Sequence, residues 1–179
     1  MKRNMDQWTN DLLAAETKKA VPVLSFPSIQ LLGITVKDLI SDSDLQARGM
    51  KAVADRTDAG AAVSLMDLSL EAECFGAPIR VSDDEVPTVT GPVISTEVEE
   101  DERMAQAEAL AVPEIGAGRT QIYIDAIEKV MGMIEDRPVL AGVIGPFSLA
   151  GRLLDVTQSL IYCYEEPDMV HVVLEKCTE

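Results

Sequence analysis

Short apolar runs that each lead into a helical pattern constrain the fold of this 179-residue chain more than any other feature. The runs are 21–26 (VPVLSF), 61–67 (AAVSLMD) and 138–144 (PVLAGVI). Short runs of this kind are typical of strands buried on both faces, as in a parallel sheet. Parallel neighbours need a right-handed crossover, which a helix usually supplies. The pattern therefore predicts an α/β fold with about three parallel strands and surrounding helices.

Two predicted helices begin with a capping box, in which a Ser or Thr at the N-cap pairs with Glu or Gln three residues later. Ser43 and Gln46 form the first box, for a helix to residue 57, and Thr96 and Glu99 form the second. Gly and Pro interrupt residues 75–94 between these helices. That segment therefore predicts a small hairpin or excursion, and it excludes a helix.

Two further helices are predicted from apolar stripes at helical spacing. One covers residues 120–135, and the other begins with Pro167 near its first position and runs to the end of the chain. A stripe on one face indicates that the face packs against the rest of the protein. The stripe residues are Tyr123, Ile127, Val130, Met131 and Ile134 in the first helix, and Met169, Val172, Val173 and Cys177 in the second.

The alternation of strands and helices fits either a small open α/β sheet or a part of a (β/α)8 barrel. A closed barrel typically needs about 250 residues, and this chain supplies only three strand–helix units. No glycine or other C-cap follows the last helix before Glu179. If the fold is a barrel, we therefore expect the chain to be part of one, incomplete at its C-terminus.

The charge of the chain excludes several classes of partner. Its 31 acidic and 15 basic residues give a net charge of -16, which repels nucleic acid and anionic membrane surfaces. The N-terminus lacks the apolar core of a signal peptide, and no apolar run approaches the roughly 18 residues of a membrane span. The three cysteines are odd in number and widely spaced, which argues against a disulfide framework. We therefore expect a cytoplasmic protein with no nucleic-acid or membrane partner.

The last residues of the first two apolar runs lie at predicted strand ends, where parallel α/β proteins carry their chemistry. Ser25 and Phe26 end the first run, and Asp67 ends the second. A carboxylate beside so many apolar residues is costly unless it has a partner. Two interpretations of Asp67 stay open: it caps the following turn, or it is directed at a ligand.

The third run ends at Gly145 and Pro146. Proline has no amide hydrogen for a ladder, and glycine lets the backbone turn sharply and approach a ligand closely. Phe147 then supplies an apolar wall, and Ser148 is predicted to cap the next helix. This loop is the second candidate ligand-binding segment.

Arg152 lies one helical turn after Ser148 and on the same face. An arginine in this position can bind a carboxylate through two hydrogen bonds. The alternative is a surface arginine paired with Asp155 or Glu166. Both interpretations of Arg152 stay open.

Two blocks of the sequence resemble the uroporphyrinogen decarboxylase superfamily. They are residues 66–89 (MDLSLEAECFGAPIRVSDDEVPTV) and 141–154 (AGVIGPFSLAGRLL), and the similarity runs in order from residue 21 to the end. Within the superfamily, the chain is more similar to the methylcobamide:coenzyme M methyltransferase branch. The resemblance implies a single (β/α)8 barrel domain about twice this length, of which residues 1–179 are the N-terminal portion.

The resemblance also implies roles for particular residues. In decarboxylases of the superfamily, an aspartate at the position of Asp67 holds the pyrrole N–H groups of a tetrapyrrole. Those enzymes carry arginines after the first strand, where this chain reads SFPSIQLLG (25–33), and a tyrosine where Arg152 stands. Because a substrate with many carboxylates needs cationic partners, these departures count against porphyrinogen decarboxylation.

The methyltransferase branch, which the chain resembles, activates a thiol on zinc, so that the thiolate attacks a methyl group carried by a corrinoid. Its metal ligands, a His-x-Cys pair and a later Cys, belong to the second half of the barrel. His171, Cys163, Cys177 and Cys74 do not match them, and a packing role is expected for each. Zinc and a methylcobamide are therefore expected for the intact protein, with no zinc ligand and no catalytic residue assigned to this chain.

Three functions remain open. The first is the N-terminal half of a corrinoid-dependent methyltransferase, and the second is that of a uroporphyrinogen decarboxylase of tetrapyrrole biosynthesis. The third is a non-catalytic half-barrel that serves as a binding or assembly module. The expected partners are a corrinoid or tetrapyrrole ligand and a corrinoid protein. Because a partial barrel exposes strand edges, we also expect self-association or a complementary C-terminal half. The predicted binding residues are Asp67, Gly145, Pro146, Phe147, Ser148 and Arg152.

Overall fold

The computed structural model describes residues 3–179, which form two compact units. Unit 1 comprises the described residues up to Met66 together with Ile122–Gly142, and unit 2 comprises Asp67–Gln121 and Val143–Glu179. The helices are α1 (Met5–Ala14), α2 (Ser28–Leu32), α3 (Val36–Ser41), α4 (Ser43–Arg56), α5 (Leu70–Cys74), α6 (Glu100–Ala109), α7 (Thr120–Met131), α8 (Pro146–Leu154), α9 (Val156–Glu165) and α10 (Pro167–Lys176); the strands are β1 (Ala62–Val63), β2 (Ile79–Arg80), β3 (Thr88–Val89) and β4 (Val139–Leu140).

Unit 1 contains a parallel strand pair. Strand β1 pairs with β4, with Ala62 opposite Val139, so the predicted parallel arrangement is confirmed for the second and third apolar runs. The strand predicted at 21–26 is wrong, because this segment has no regular structure up to Leu24 and then turns. Pro22 has no N–H to give a ladder, and Ser25 instead donates its side-chain hydroxyl to the Ser64 carbonyl (2.5 Å).

The core of unit 1 lies between α4, β1 and the C-terminal part of α7. Its buried side chains include Ala47, Met50, Ala62, Val130 and Ile134. Val130 and Ile134 are buried, as the predicted stripe requires, but α7 ends at Met131 and not at residue 135. Met131, the last residue of the helix, was part of the same stripe and is 59% exposed.

The helix predicted from residue 43 is confirmed as α4, but the predicted capping box is wrong. Asp42 is the N-cap, and its carboxylate accepts hydrogen bonds from the backbone N–H groups of Asp44 (2.7 Å) and Leu45 (3.0 Å). Gln46 is buried, and its side-chain nitrogen has no hydrogen-bond partner among residues 3–179. A carboxylate one residue earlier thus replaces the predicted Ser43 cap.

Unit 2 contains an antiparallel hairpin and a larger helical core. Strands β2 and β3 pair with Ile79 opposite Val89, which confirms the hairpin predicted within 75–94. Helix α6 begins at Glu100 with Glu99 as its N-cap and no side-chain capping bond, so the Thr96–Glu99 box is wrong. Helices α6, α8 and α9 pack against α10. The fully buried side chains of this core include Leu153, Leu154, Met169 and Val173.

Two local features, one buried and one exposed, define how the helices of unit 2 are arranged. Arg103 of α6 donates from Nε and Nη2 to the Glu166 carboxylate (2.8–3.1 Å), and its guanidinium lies 4.8 Å from the centre of the Tyr162 ring. Helices α8 and α9 are separated by Asp155, a non-glycine residue with φ of 73°. The final helix begins with Pro167 at its first position, as predicted, but it ends at Lys176 with Cys177 as its C-cap, so the prediction that it runs to the end of the chain is wrong.

No helix among residues 3–179 is both long enough and apolar enough to cross a bilayer.

Candidate functional site

Asp67 is the first residue of unit 2, and its carboxylate is completely buried. Oδ1 accepts hydrogen bonds from the backbone N–H (3.0 Å) and the hydroxyl (2.6 Å) of Ser69. The N–H bond supports the predicted capping role at the turn into α5. Oδ2 accepts a hydrogen bond from Arg119 Nη1 at 2.8 Å. Asp67 is therefore a buried partner of an arginine as well as a turn residue.

Arg119 is the cation of this cluster, and the sequence patterns did not single it out. Its Nη1 binds Asp67, and its Nε donates to Glu73 Oε2 at 2.6 Å. The Arg119 side chain is 16% exposed, against 35% for Glu73 and none for Asp67. The guanidinium thus bridges a buried carboxylate and an accessible one. We call Asp67, Ser69, Glu73 and Arg119 the Asp67 cluster.

The turn that carries Arg119 depends on glycine. Gly116 and Gly118 have φ of 85° and 54°, a region that side chains with a Cβ rarely adopt. A Cβ at Gly118 would also lie 3.2 Å from the Cys74 sulfur. That thiol donates to the Ala117 carbonyl (3.2 Å), and burial, followed by the Glu73 carboxylate, raises the pKa of Cys74. Cys74 therefore stays a protonated packing residue at neutral pH.

The predicted segment after the third apolar run surrounds the start of α8. Gly145 is the N-cap, without a side-chain capping bond, and Pro146 is the first helical residue. Phe147 is 49% exposed, and Ser148 is exposed. The prediction that Ser148 caps the helix is wrong, because the helix begins two residues earlier, at the proline. We call residues 143–148, which lead from the third apolar run into the first turn of α8, the Gly-Pro loop.

Arg152 follows on α8, one turn after Ser148, as the spacing predicted. Neither of its alternative partners is free to take the predicted role. Asp155 accepts from the backbone N–H groups of Thr157 (2.9 Å) and Gln158 (3.1 Å), and Glu166 is bound by Arg103. Among residues 3–179, no ion pair of Arg152 is formed. The surface-pair interpretation is therefore wrong for both residues, and the predicted ligand role of Arg152 stays a prediction.

A carboxylate of α5 contacts the Gly-Pro loop. Glu71 Oε1 accepts the backbone N–H of Ile144 at 3.3 Å, and its Oε2 is buried without a hydrogen-bond partner in the described chain. The sequence patterns missed Glu71, Glu73 and Arg119. The available signal was the pair of glutamates in the short apolar block LEAEC, directly after Asp67.

The strand-end residues of unit 1 have a structural role. Ser25 is buried and binds the Ser64 carbonyl, and the Ser64 hydroxyl accepts the Gly142 N–H at 2.8 Å. These bonds connect three segments of unit 1 through the buried hydroxyl groups of Ser25 and Ser64.

The described residues contain no group of three or more His, Cys, Asp or Glu side chains placed to hold a metal ion. Cys163 and His171 are exposed, and Cys177 is half-buried, with its thiol pKa raised to about 11 by burial. These residues of the chain do not form a zinc site.

Comparison with known proteins decides the family. The model of the uroporphyrinogen decarboxylase (URO-D) family matches residues 17–179. The chain belongs to the uroporphyrinogen decarboxylase family. This confirms the resemblance carried by residues 66–89 and 141–154, since both blocks lie inside the match.

A solved structure that is similar to this chain is that of a methyltransferase from Methanosarcina mazei. The two structures have a TM-score of 0.78 at 19% sequence identity, over 99% of this chain and 53% of the methyltransferase chain. The chain therefore has the α/β fold of that protein and spans about half of its length. No curated protein matches the chain.

Proposed function

We propose that this chain is the N-terminal half of a corrinoid-dependent methyltransferase, which moves a methyl group from a methylcobamide to a thiol or a similar acceptor. In this proposal, residues 1–179 form the N-terminal part of one (β/α)8 barrel domain. The coverage of 53% of the Methanosarcina mazei methyltransferase by 99% of this chain supports it, because the remaining half of a barrel is then accounted for.

The observation that carries the proposal is the charge of the candidate site in unit 2. Asp67, Glu71 and Glu73 supply three carboxylates, and Arg119 is already bound by two of them. Residues 25–33 contain no arginine. A uroporphyrinogen carries many carboxylates and needs cationic partners, whereas a corrinoid, whose periphery carries amide side chains, does not require them. The site therefore favours the methyltransferase over the decarboxylase.

Zinc is part of the proposal for the intact protein only. The described residues do not offer its ligands, so we expect a His-x-Cys pair and a later Cys in the second half of the barrel. The proposal also includes a covering partner for the partial barrel, either that second half or another copy of the chain.

The test uses the whole protein that contains this chain. Purified protein is mixed with methylcobalamin and a thiol acceptor, and methyl transfer is followed by the visible absorbance change of the corrinoid. A parallel sample receives uroporphyrinogen, and its decarboxylated products are measured. We expect thiol methylation without decarboxylation; decarboxylation without methyl transfer would replace the proposal by the alternative function.

A matched pair of variants tests the site. We expect Arg152→Ala to raise KM for methylcobalamin about tenfold, the effect of losing one good hydrogen-bonded contact. Arg48→Ala removes the same charge from an exposed position on α4 and should leave KM unchanged. Equal KM values for the two variants would show that Arg152 is not part of the binding site.

A further inference from the structure

Helix α5 carries two carboxylates that contact different parts of unit 2. Glu73 binds Arg119, which in turn binds Asp67. Glu71 accepts the backbone N–H of Ile144 at 3.3 Å, directly before Gly145 and Pro146. One short helix thus connects the Asp67 cluster with the Gly-Pro loop.

The burial of one Glu71 carboxylate oxygen costs free energy, and packing does not explain why a carboxylate is placed there. Its Oε2 is buried, and no residue of the range 3–179 gives it a hydrogen bond. A buried carboxylate oxygen without a partner is unfavourable, and an apolar side chain of similar size would fill the same space without that penalty. The carboxylate is therefore explained by what its other oxygen does, which is to hold Ile144.

Ile144 is the last residue of the third apolar run and is half-buried. Its side chain packs against the core of unit 2, whereas Gly145, Pro146 and Phe147 are exposed. Pro146 has no N–H, and Gly145 tolerates many backbone conformations. The Ile144 N–H is thus a fixed point directly before the exposed residues 145–148.

We propose that Glu71 is a positioning residue: its hydrogen bond to Ile144 sets the conformation of the Gly-Pro loop, and through that loop the binding of the corrinoid methyl donor. This rests on the proposed function for the identity of the ligand. The loop conformation itself is measured without any ligand, so the two proposals fail separately.

The first measurement is hydrogen exchange of residues 143–148 in the whole protein. Glu71→Ala removes the acceptor, and we expect exchange of the Ile144 amide to become about tenfold faster, the equivalent of one lost hydrogen bond. Glu71→Gln retains a side-chain carbonyl and should keep exchange within about twofold of the unchanged protein. Glu102→Ala, at an exposed position on α6 of the same unit, is the matched control and should change nothing.

The second measurement separates positioning from general stability. With methylcobalamin as the donor, Glu71→Ala should raise KM about tenfold with little change in kcat, and Glu71→Gln should restore KM. Equal KM values for the Ala and Gln variants would overturn the proposal, as would unchanged exchange at Ile144 in the Ala variant. If Glu71→Ala does not fold, a tenfold KM increase in Glu71→Gln despite native exchange would also overturn it.

Discussion

The two predicted ligand-binding segments of unit 2 differ in how they use their polar groups. In the Asp67 cluster, a buried carboxylate receives hydrogen bonds from Ser69 and Arg119, and the guanidinium is held a second time by Glu73. The Gly-Pro loop exposes Phe147 and Ser148, and its Ile144 N–H donates to Glu71.

The difference shows which segment can meet a ligand directly. A ligand that reached Asp67 would have to displace Arg119, which would leave a buried charge without compensation. A ligand that reached the Gly-Pro loop would cover apolar surface and displace only water. Asp67 thus serves as a holder of Arg119, and the loop is the accessible surface.

The largest expected effect comes from breaking the Asp67 cluster. Because Asp67 is fully buried, Arg119→Ala should lower the free energy of unfolding by about 3 kcal/mol. Arg119→Lys keeps the charge but cannot bind two carboxylates from one plane, so an intermediate loss is expected. Urea unfolding of the whole protein measures both.

Arg80→Ala is the matched control for this experiment. It removes an arginine from the exposed Arg80–Glu85 pair of the same unit, where about 0.5 kcal/mol is expected. If Arg119→Ala cost no more than Arg80→Ala, the contrast between a closed cluster and an open loop would be lost.

A smaller effect is expected at the other end of α8, where Asp155 has φ of 73° and caps α9. Asp155→Ala loses the cap and keeps the unfavourable backbone, so about 1 kcal/mol of destabilisation is expected. Asp155→Gly loses the same cap but relieves the backbone and should be nearly neutral. Thermal unfolding ranks the two; an Ala variant as stable as the Gly variant would show that Asp155 is not strained.

The smallest stability effect is expected in the Gly-Pro loop itself. Phe147→Ser removes a side chain that is 49% exposed, so the free energy of unfolding should change by less than about 0.5 kcal/mol. Affinity for methylcobalamin should fall, because the loop loses its apolar surface. A large loss of stability would place Phe147 in the core and reverse the comparison.

Much of the fold could be predicted from periodicity. The helices α4, α7 and α10 and the hairpin β2–β3 follow local patterns that packing did not override. The strand at 21–26 could not be excluded from its apolar residues, because pairing depends on whether another strand lies alongside. The capping boxes failed for local reasons: Asp42 caps α4 in place of Ser43, and α6 begins at Glu100, with Glu99 and not Thr96 as its N-cap.

The candidate site was predicted only in part. The positions of Gly145, Pro146 and Phe147 followed from the end of an apolar run, and the structure finds them exposed at the start of α8. Arg119 lies 52 residues from Asp67 along the chain, and no local pattern connects them.

Residue order and composition were sufficient to predict the family, an α/β fold with parallel strands and the acidic character of the chain. The burial of Asp67 against Arg119 and the hydrogen bond from the Ile144 N–H to Glu71 became visible only in the folded chain. The physical reason is that a charge acquires its role from the partners that surround it after folding, and those partners come from distant parts of the chain.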